Sequence, residues 1–337
     1  GEIDCFIENT IKDWMKSYDV PPVKDGRIVR SEIEEHSIRP FSGLFLNTRS
    51  PLLGDKNVRE ALTLLFDFEW TNRALFYDKY LRCVSFFPNS PLAAPDVPDA
   101  AELALLEPWR DRIDPAVLGP LPELPETDGS GAIRPLLRRA LALFEKSGWK
   151  LADGVLRNAA GEPMRLAFPL VSPAQQRIVV PYQKNLAQIG IRLDVRLVDQ
   201  TQYVNRVRSF DFDIIIASLR QSESPGNEQR NFWSSEAARQ EGSRNYAGIG
   251  DPVVDAMVER LIAAATFEEL TAATRALDRL LRHGRYVVPG WYSKHTRIAW
   301  WRERITPPPD RPKRGLDWTS WYAAPRALPP RAADGGR

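Results

Sequence analysis

The sequence contains few of the residues that bind metals or form covalent cross-links. Among its 337 residues there are two cysteines, Cys5 and Cys83, and three histidines, which are scattered along the chain. Metal sites need ligands at clustered spacings, so we expect neither a metal nor another cofactor. The cysteines leave two possibilities open: a Cys5–Cys83 disulfide in an oxidising compartment, or two free thiols.

Long apolar runs and an excess of charge are also missing. No apolar stretch reaches the roughly 18 residues that suggest a membrane-spanning helix. Residues 1–8 have neither a basic nor an apolar segment, so they do not look like a signal peptide. With 46 basic and 44 acidic residues the net charge is +2, which argues against binding to nucleic acid or to an anionic membrane.

Motifs of the common enzyme classes are absent. The chain has no G-x-S-x-G nucleophile elbow and no G-x-x-x-x-G-K-[ST] phosphate-binding loop. The sequence GIGD at 248–251 is too short for a dinucleotide fingerprint and fits a turn before a helix. Asp67 and Glu69 lie two residues apart, a spacing that points their side chains apart on a helix. We therefore do not expect an enzyme.

The patterns that are present predict an α/β protein. The length is enough for about two domains, and the 28 prolines cluster at 88–125 and after residue 306, which indicates long loops and a proline-rich tail. A helix over 174–189 contains Pro181, which we expect to start or bend a turn. Residues 191–198 alternate as in a half-buried strand, and the apolar run 212–217 is typical of a central strand in a mixed sheet.

Local signals mark the ends of several helices, and paired aromatic strands are predicted over 286–301. Asp55 is placed to cap a helix over 57–66. Thr266 and Glu269 have the spacing of a capping box, and Gly148 suits the position just after a helix over 134–147.

Several segments together resemble family 5 extracellular solute-binding proteins of the oligopeptide- and dipeptide-binding type. The family's N-x-R…F-x-D-x-x-V-R-x-A-L stretch corresponds here to Asn47, Arg49, Asp55, Val58, Arg59, Ala61 and Leu62. The subgroup resembled is the YejA-like one, through the segments FDFEW (66–70), YLRCVSFF (80–87), SPGNEQR (224–230) and ALDR (276–279). The resemblance covers about residues 1–322.

This resemblance implies a periplasmic binding protein type II-like fold, in which mixed-sheet lobes are joined by hinge strands. Residues 1–46 then form the end of the first lobe and the hinge, and residues 47–285 form the second lobe. Residues 286–337 supply return strands to the first lobe and the proline-rich tail. Family members are longer and begin with a signal peptide and a large first lobe, so we expect the first lobe to be incomplete in this sequence.

The resemblance also implies a function, namely capture of oligopeptides or peptide conjugates in the periplasm by closure of two lobes. We expect a monomer that delivers its ligand to an inner-membrane ABC permease. The residues that the resemblance places at the ligand are Asn47, Arg49, Glu223, Asn227, Arg230, Trp233, Trp291 and Tyr292. In this scheme Glu223 holds an ammonium group, Arg230 a carboxylate and Asn227 a backbone amide, while Trp233 forms a wall.

Each of these assignments has a structural alternative. Asn47 and Arg49 can serve the hinge alone, and Glu223 can cap the turn that Ser224-Pro225-Gly226 indicates. Arg230 can pair with Glu228 or Glu236 on the surface, and Trp291 and Tyr292 can belong to the core. An alternative function is an interaction or regulatory module that derives from a solute-binding protein but has no transport role.

Overall fold

A computed structural model describes residues 3–308 and 314–323, and within these ranges the chain forms two compact units. The small unit combines residues up to Ser37 with residues from Ser293 onward, and the large unit is the continuous segment Ile38–Tyr292. Part of the predicted proline-rich tail, residues 309–313 and 324–337, lies outside the described residues. None of the described helices combines the length and the apolar character that crossing a membrane requires.

Strands and helices alternate along the described chain. The strands are β1 (Cys5–Ile7), β2 (Ile28–Glu34), β3 (Phe41–Leu46), β4 (Leu81–Arg82), β5 (Lys150–Ala152), β6 (Val155–Arg157), β7 (Arg165–Leu170), β8 (Arg192–Leu197), β9 (Ile214–Leu219), β10 (Val287–Pro289), β11 (Trp291–Tyr292), β12 (His295–Trp301), β13 (Ile305–Thr306) and β14 (Tyr322–Ala323). The α-helices are α1 (Ile11–Lys16), α2 (Pro21–Lys24), α3 (Lys56–Leu64), α4 (Phe68–Phe76), α5 (Ala100–Leu106), α6 (Arg134–Lys146), α7 (Pro173–Ala187), α8 (Gln200–Arg208), α9 (Glu228–Trp233), α10 (Pro252–Ile262) and α11 (Phe267–Gly284). Short 3-10 turns lie at Pro51–Leu53, Glu107–Arg112, Pro115–Leu118, Ala237–Arg239 and Trp318–Ser320.

The small unit is built on an antiparallel sheet in the order β1–β12–β2. Strand β12 lies in the middle, so a strand from the end of the chain pairs with two strands from its beginning. Cys5 lies in this sheet and Cys83 lies in the large unit, and both are free thiols. Of the two possibilities left open by the sequence, the structure therefore has the free thiols.

The large unit contains a sheet in the order β10–β3–β9 and a parallel pair, β7–β8. The apolar run predicted to be a central strand becomes β9, which pairs with β3 on one side. On the other side the Asp213 N–H, directly before β9, donates to Ala167 O of β7 at 3.1 Å, so β9 lies between β3 and β7 as predicted. Its residues face the core on both sides. Ile214 contacts one core cluster while Ile215 contacts the other.

Strand β3 separates the two core clusters of the large unit. Its residues alternate between them, with Leu44 and Leu46 in one cluster and Phe41 and Phe45 in the other, as expected from the two-residue period of a strand. Because β3 and β10 pair inside the large unit, the boundary between the units lies before β3 and after β11. The sequence had placed these boundaries at 46/47 and 285/286, and the assignment of the units to lobes stays a prediction.

The helix caps predicted from neighbouring residues are present in the structure, whereas the burial predicted for β8 holds for only part of the strand. The Asp55 carboxylate accepts a hydrogen bond from the Asn57 N–H at 2.8 Å, and the capping box at Thr266 is formed in full. Helix α7 runs through Pro181 without ending there. Strand β8 is buried only in its first half, since Leu197 is 50% exposed.

Helix α11 anchors the proline-rich segment that follows β4. The buried Asp278 carboxylate accepts hydrogen bonds from the Phe86 N–H at 2.8 Å and the Ala94 N–H at 3.0 Å. The guanidinium of the next residue, Arg279, donates to the carbonyl oxygens of Pro95 and Gly119 at 2.6 and 2.9 Å. These bonds replace the ladders that regular secondary structure would supply, so an irregular segment is held in one conformation.

His283 near the end of α11 should make stability depend on pH. Its ring is 4% exposed, and burial followed by the nearby positive charges of Lys56 and Arg279 lowers its pKa to about 4. The unfolded chain, with an ordinary histidine pKa of about 6.5, takes up this proton first, so stability falls as the pH falls. We expect a loss of about 2 kcal/mol between about pH 7.5 and pH 5 from this residue.

Chemical denaturation across this pH range checks the expectation. The difference in unfolding free energy between the wild type and His283→Asn should shrink by about that amount toward acid, because the asparagine does not titrate. Parallel pH curves for the two proteins would show that His283 is not held neutral by burial.

Candidate functional site

Asn47 lies immediately after β3 and is 2% exposed. Its side-chain amide donates to the carbonyl oxygens of Phe212 at 2.8 Å and Phe210 at 3.1 Å. Its Oδ1 accepts from the backbone N–H and the Nη1 of Arg49, at 3.2 and 3.0 Å. The polar atoms of Asn47 are therefore engaged by the protein, and they fix the turn that leads into β9.

Arg49 connects the end of β3 to the loop before α10. Its Nε donates to the Ala238 carbonyl at 2.8 Å, and its Nη2 donates to the Asn245 carbonyl at 3.0 Å. The guanidinium also stacks 3.6 Å from the ring centre of Phe210, and burial lowers its pKa to about 10. This is the geometry of an internal brace, and a contact of Asn47 or Arg49 with ligand stays a prediction.

Arg230 and Asn227 lie on the predicted ligand loop, at the start of α9. The Arg230 guanidinium makes two bonds of 2.6 Å to the Glu259 carboxylate on α10 and a third to Asn227 Oδ1. Hydrogen bonding to Arg230 lowers the pKa of Glu259. The sequence alternatives were Glu228 and Glu236, and the structure selects Glu259 instead. The pair is exposed to solvent, so it contributes little to stability.

Trp233 ends α9 and is 1% exposed, so its side chain lies in the core of the large unit. Its Nε1 donates to Gln229 Oε1 at 2.8 Å, and its ring packs edge-on against Phe86 with 5.1 Å between ring centres. Burial of the aromatic body with its one polar group satisfied is what a core tryptophan requires. Trp233 therefore belongs to the core under the loop that follows β9, and its role as a wall of the ligand site stays a prediction.

The loop after β9 contains a residue that the sequence did not single out. Gln221 Oε1 accepts from Gln229 Nε2 at 2.8 Å, while Gln221 Nε2 is buried and has no partner in the described part of the chain. Glu223, two residues on, is exposed. A buried donor without a partner costs about 1–3 kcal/mol. No sequence pattern around Gln221 identifies it, because its burial and its bond to Gln229 on α9 depend on how the loop folds back onto that helix.

Trp291 and Tyr292 form β11 and pair with β4 at the end of the large unit. Both side chains are half-buried, and the Trp291 ring lies 5.0 Å from that of Phe76. Burial raises the pKa of Tyr292. The chain passes into the small unit directly after Tyr292, so these aromatic side chains sit at a point where the two units are joined.

The predicted residues thus fall into four groups within the large unit, of which the half-buried pair Trp291 and Tyr292 on β11 is one. Asn47 and Arg49 are engaged internally, Trp233 is in the core, and Glu223, Asn227 and Arg230 are exposed on one loop and helix start. Among the described residues there is no group of three or more His, Cys, Asp or Glu side chains that could hold a metal ion.

Sequence comparison gives relatives along almost the whole chain. A putative binding protein of Brucella melitensis is 38% identical over 323 residues, which is 96% of this chain and 52% of the relative. The probable peptide-binding protein YejA of Agrobacterium fabrum is 38% identical over 310 residues, 91% of this chain and 50% of the relative. The chain spans about half the length of these relatives. Both relatives are named as binding proteins and neither as an enzyme.

Structural comparison places the fold among known binding proteins. The oligopeptide-binding protein AppA of Bacillus subtilis, solved with a nonapeptide, superimposes with a TM-score of 0.71 over 96% of this chain and 56% of AppA. At 17% identity this likeness shows the fold alone. It agrees with the predicted periplasmic binding protein type II-like α/β class with an incomplete first lobe. The family model for the middle region of family 5 bacterial extracellular solute-binding proteins matches residues 1–241. This chain belongs to the family 5 bacterial extracellular solute-binding proteins.

Proposed function

We propose that this chain is part of the substrate-binding component of an ABC importer and captures oligopeptides or peptide conjugates in the periplasm. The observation that carries the proposal is the 38% identity to a probable peptide-binding protein along 91% of the chain. The fold shared with a binding protein that holds a nonapeptide supports it. Delivery to an inner-membrane permease, action as a monomer and the absence of nucleic-acid binding remain parts of this proposal.

The ligand site we propose is the loop after β9, with Gln221 added to the residues named from the sequence. A peptide backbone carries a carbonyl oxygen at every residue, whatever its side chains. The unpartnered Gln221 Nε2 supports a role as donor to such an oxygen. Glu223 has the charge to hold an ammonium group. For Arg230, ligand binding requires exchange of the Glu259 carboxylate for that of the ligand.

Closure of two lobes around the ligand is the mechanism we propose for capture. The chain passes between its two units twice, after Ser37 and after Tyr292. Two such connections are a frequent form of hinge, in which a few residues at the ends of strands change their backbone angles. Half-buried aromatic side chains beside the second connection, Trp291 and Tyr292, are candidates for ligand contact on closure.

Calorimetric titration with a mixture of synthetic oligopeptides tests the proposal, with the Agrobacterium fabrum relative as positive control. We expect binding by the chain and an affinity roughly five- to tenfold weaker in Gln221→Leu, from the loss of one hydrogen bond. Gln188→Leu, which alters an exposed glutamine directly after α7, is the matched control and should bind as the wild type does. Binding by the relative but not by this chain would contradict the proposal.

A further inference from the structure

Strand β8 forms the outer edge of the described β7–β8 pair. The Arg192 N–H donates to Met164 O at 3.1 Å and the Val198 N–H to Leu170 O at 2.9 Å, so even-numbered residues of β8 bond to β7. Backbone groups of the odd-numbered residues therefore point away from the sheet. Gln183 confirms this direction, because its Nε2 donates to Leu193 O from outside, at 2.7 Å.

A groove of about 680 Å³ lies beside this edge, between the end of α7 and the first residues of β7 and β8. Three cationic side chains line it, Arg165, Lys184 and Arg192, against a single carboxylate, Asp194. Arg165 and Lys184 are exposed and have no ion-pair partner among the described residues. The groove therefore carries more positive charge than its surroundings neutralise.

The arrangement of the two arginines has an energetic cost. Arg165 and Arg192 are direct partners in the register of β7 and β8, and like charges directly opposite on neighbouring strands are destabilising. Asp194 offsets only part of this repulsion, since its carboxylate is bound to Arg192 Nε at 2.6 Å. An anionic group in the groove would offset the remainder.

We propose that an extended acidic polypeptide segment docks along the edge of β8. Leu193 O and the Ile191 N–H are already bonded to Gln183 and Leu186, whereas the outward backbone groups of Val195 and Leu197 have no partner among the described residues. Such free edge groups favour an added strand, and the charge favours acidic side chains. Arg192 and Arg196 lie four residues apart on one face, while Leu197, 50% exposed, lies on the other. The matching partner has acidic residues four apart with apolar residues between them. This surface is separate from the ligand loop after β9.

Fluorescence anisotropy with the labelled peptide Ac-TEVTVET-amide tests the docking, and Ac-TQVTVQT-amide is the neutral control. We expect the acidic peptide to bind more tightly, with an affinity that falls as salt is added. Arg165→Gln, Arg192→Gln and Arg196→Gln should each weaken it roughly two- to fivefold. Arg138→Gln, an exposed arginine on α6, is the matched control and should leave it unchanged.

Three results would overturn the proposal: equal binding of both peptides, equal effects of all four arginine variants, or displacement of the peptide by inorganic phosphate at constant ionic strength. The last result would make the groove a site for small anions. Oligopeptide binding at the loop after β9, measured through Gln221→Leu, should be unchanged in the groove variants. Failure of either proposal is therefore distinguishable from failure of the other.

Discussion

Replacement of Arg279 by alanine is expected to lower the free energy of unfolding by about 3–5 kcal/mol. Arg279 on α11 and Glu102 on α5 are both 0% exposed, and Arg279 Nε lies 2.9 Å from Glu102 Oε2. Burial raises the pKa of the Glu102 carboxyl, and the guanidinium opposes that shift. Removal of the cation leaves a buried carboxylate without a countercharge, and it leaves the carbonyls of Pro95 and Gly119 without their donor.

Urea denaturation followed by circular dichroism measures this effect. Arg230→Ala removes an arginine from an exposed pair and should cost much less stability, so it controls for the loss of the side chain itself. The double variant Arg279→Met with Glu102→Leu should recover much of the stability, because neither charge is then left unpaired. A cost for Arg279→Ala no larger than that of the control would mean that the buried pair adds little.

Replacement of Trp233 by alanine should cost about 3–5 kcal/mol, through lost burial and the cavity that remains. The side chain is 1% exposed, packs against Phe86 and donates to Gln229. Thermal and urea unfolding measure the cost, and Trp109→Ala, a partly exposed tryptophan, is the control and should cost less. If Trp233→Ala lowered the affinity for peptide without lowering stability, Trp233 would contact the ligand and would not be a core residue.

The sequence predicted best those features whose cause lies within a few residues. Asp55, the capping box at Thr266 and the turn at Gly148, which has a φ of +80°, each depend on neighbours along the chain. The end of β8 was predicted less well, because alternation shows which side chains share a face but not whether anything covers that face. Leu197 fits the pattern of a buried residue and is half exposed.

Candidate site residues were harder to interpret because their partners are distant in sequence. Arg49 is held by carbonyls of Ala238 and Asn245, and Arg230 by a carboxylate 29 residues away. The chemistry of an arginine is the same in a brace, in a surface pair and in a ligand site, so residue type alone does not separate these roles. The resemblance to a family predicted the fold class, but only the structure shows the hydrogen-bond and ion-pair partners of each arginine.

The division of the chain has a consequence for the order in which it folds during synthesis. The large unit is continuous and is complete once Tyr292 has left the ribosome. The sheet of the small unit must wait, because β12 is the strand to which both β1 and β2 bond. Strands β1 and β2 therefore form their bonds to β12 only after the whole large unit has been translated, so the β1–β12–β2 sheet is completed late in synthesis although two of its strands are made first.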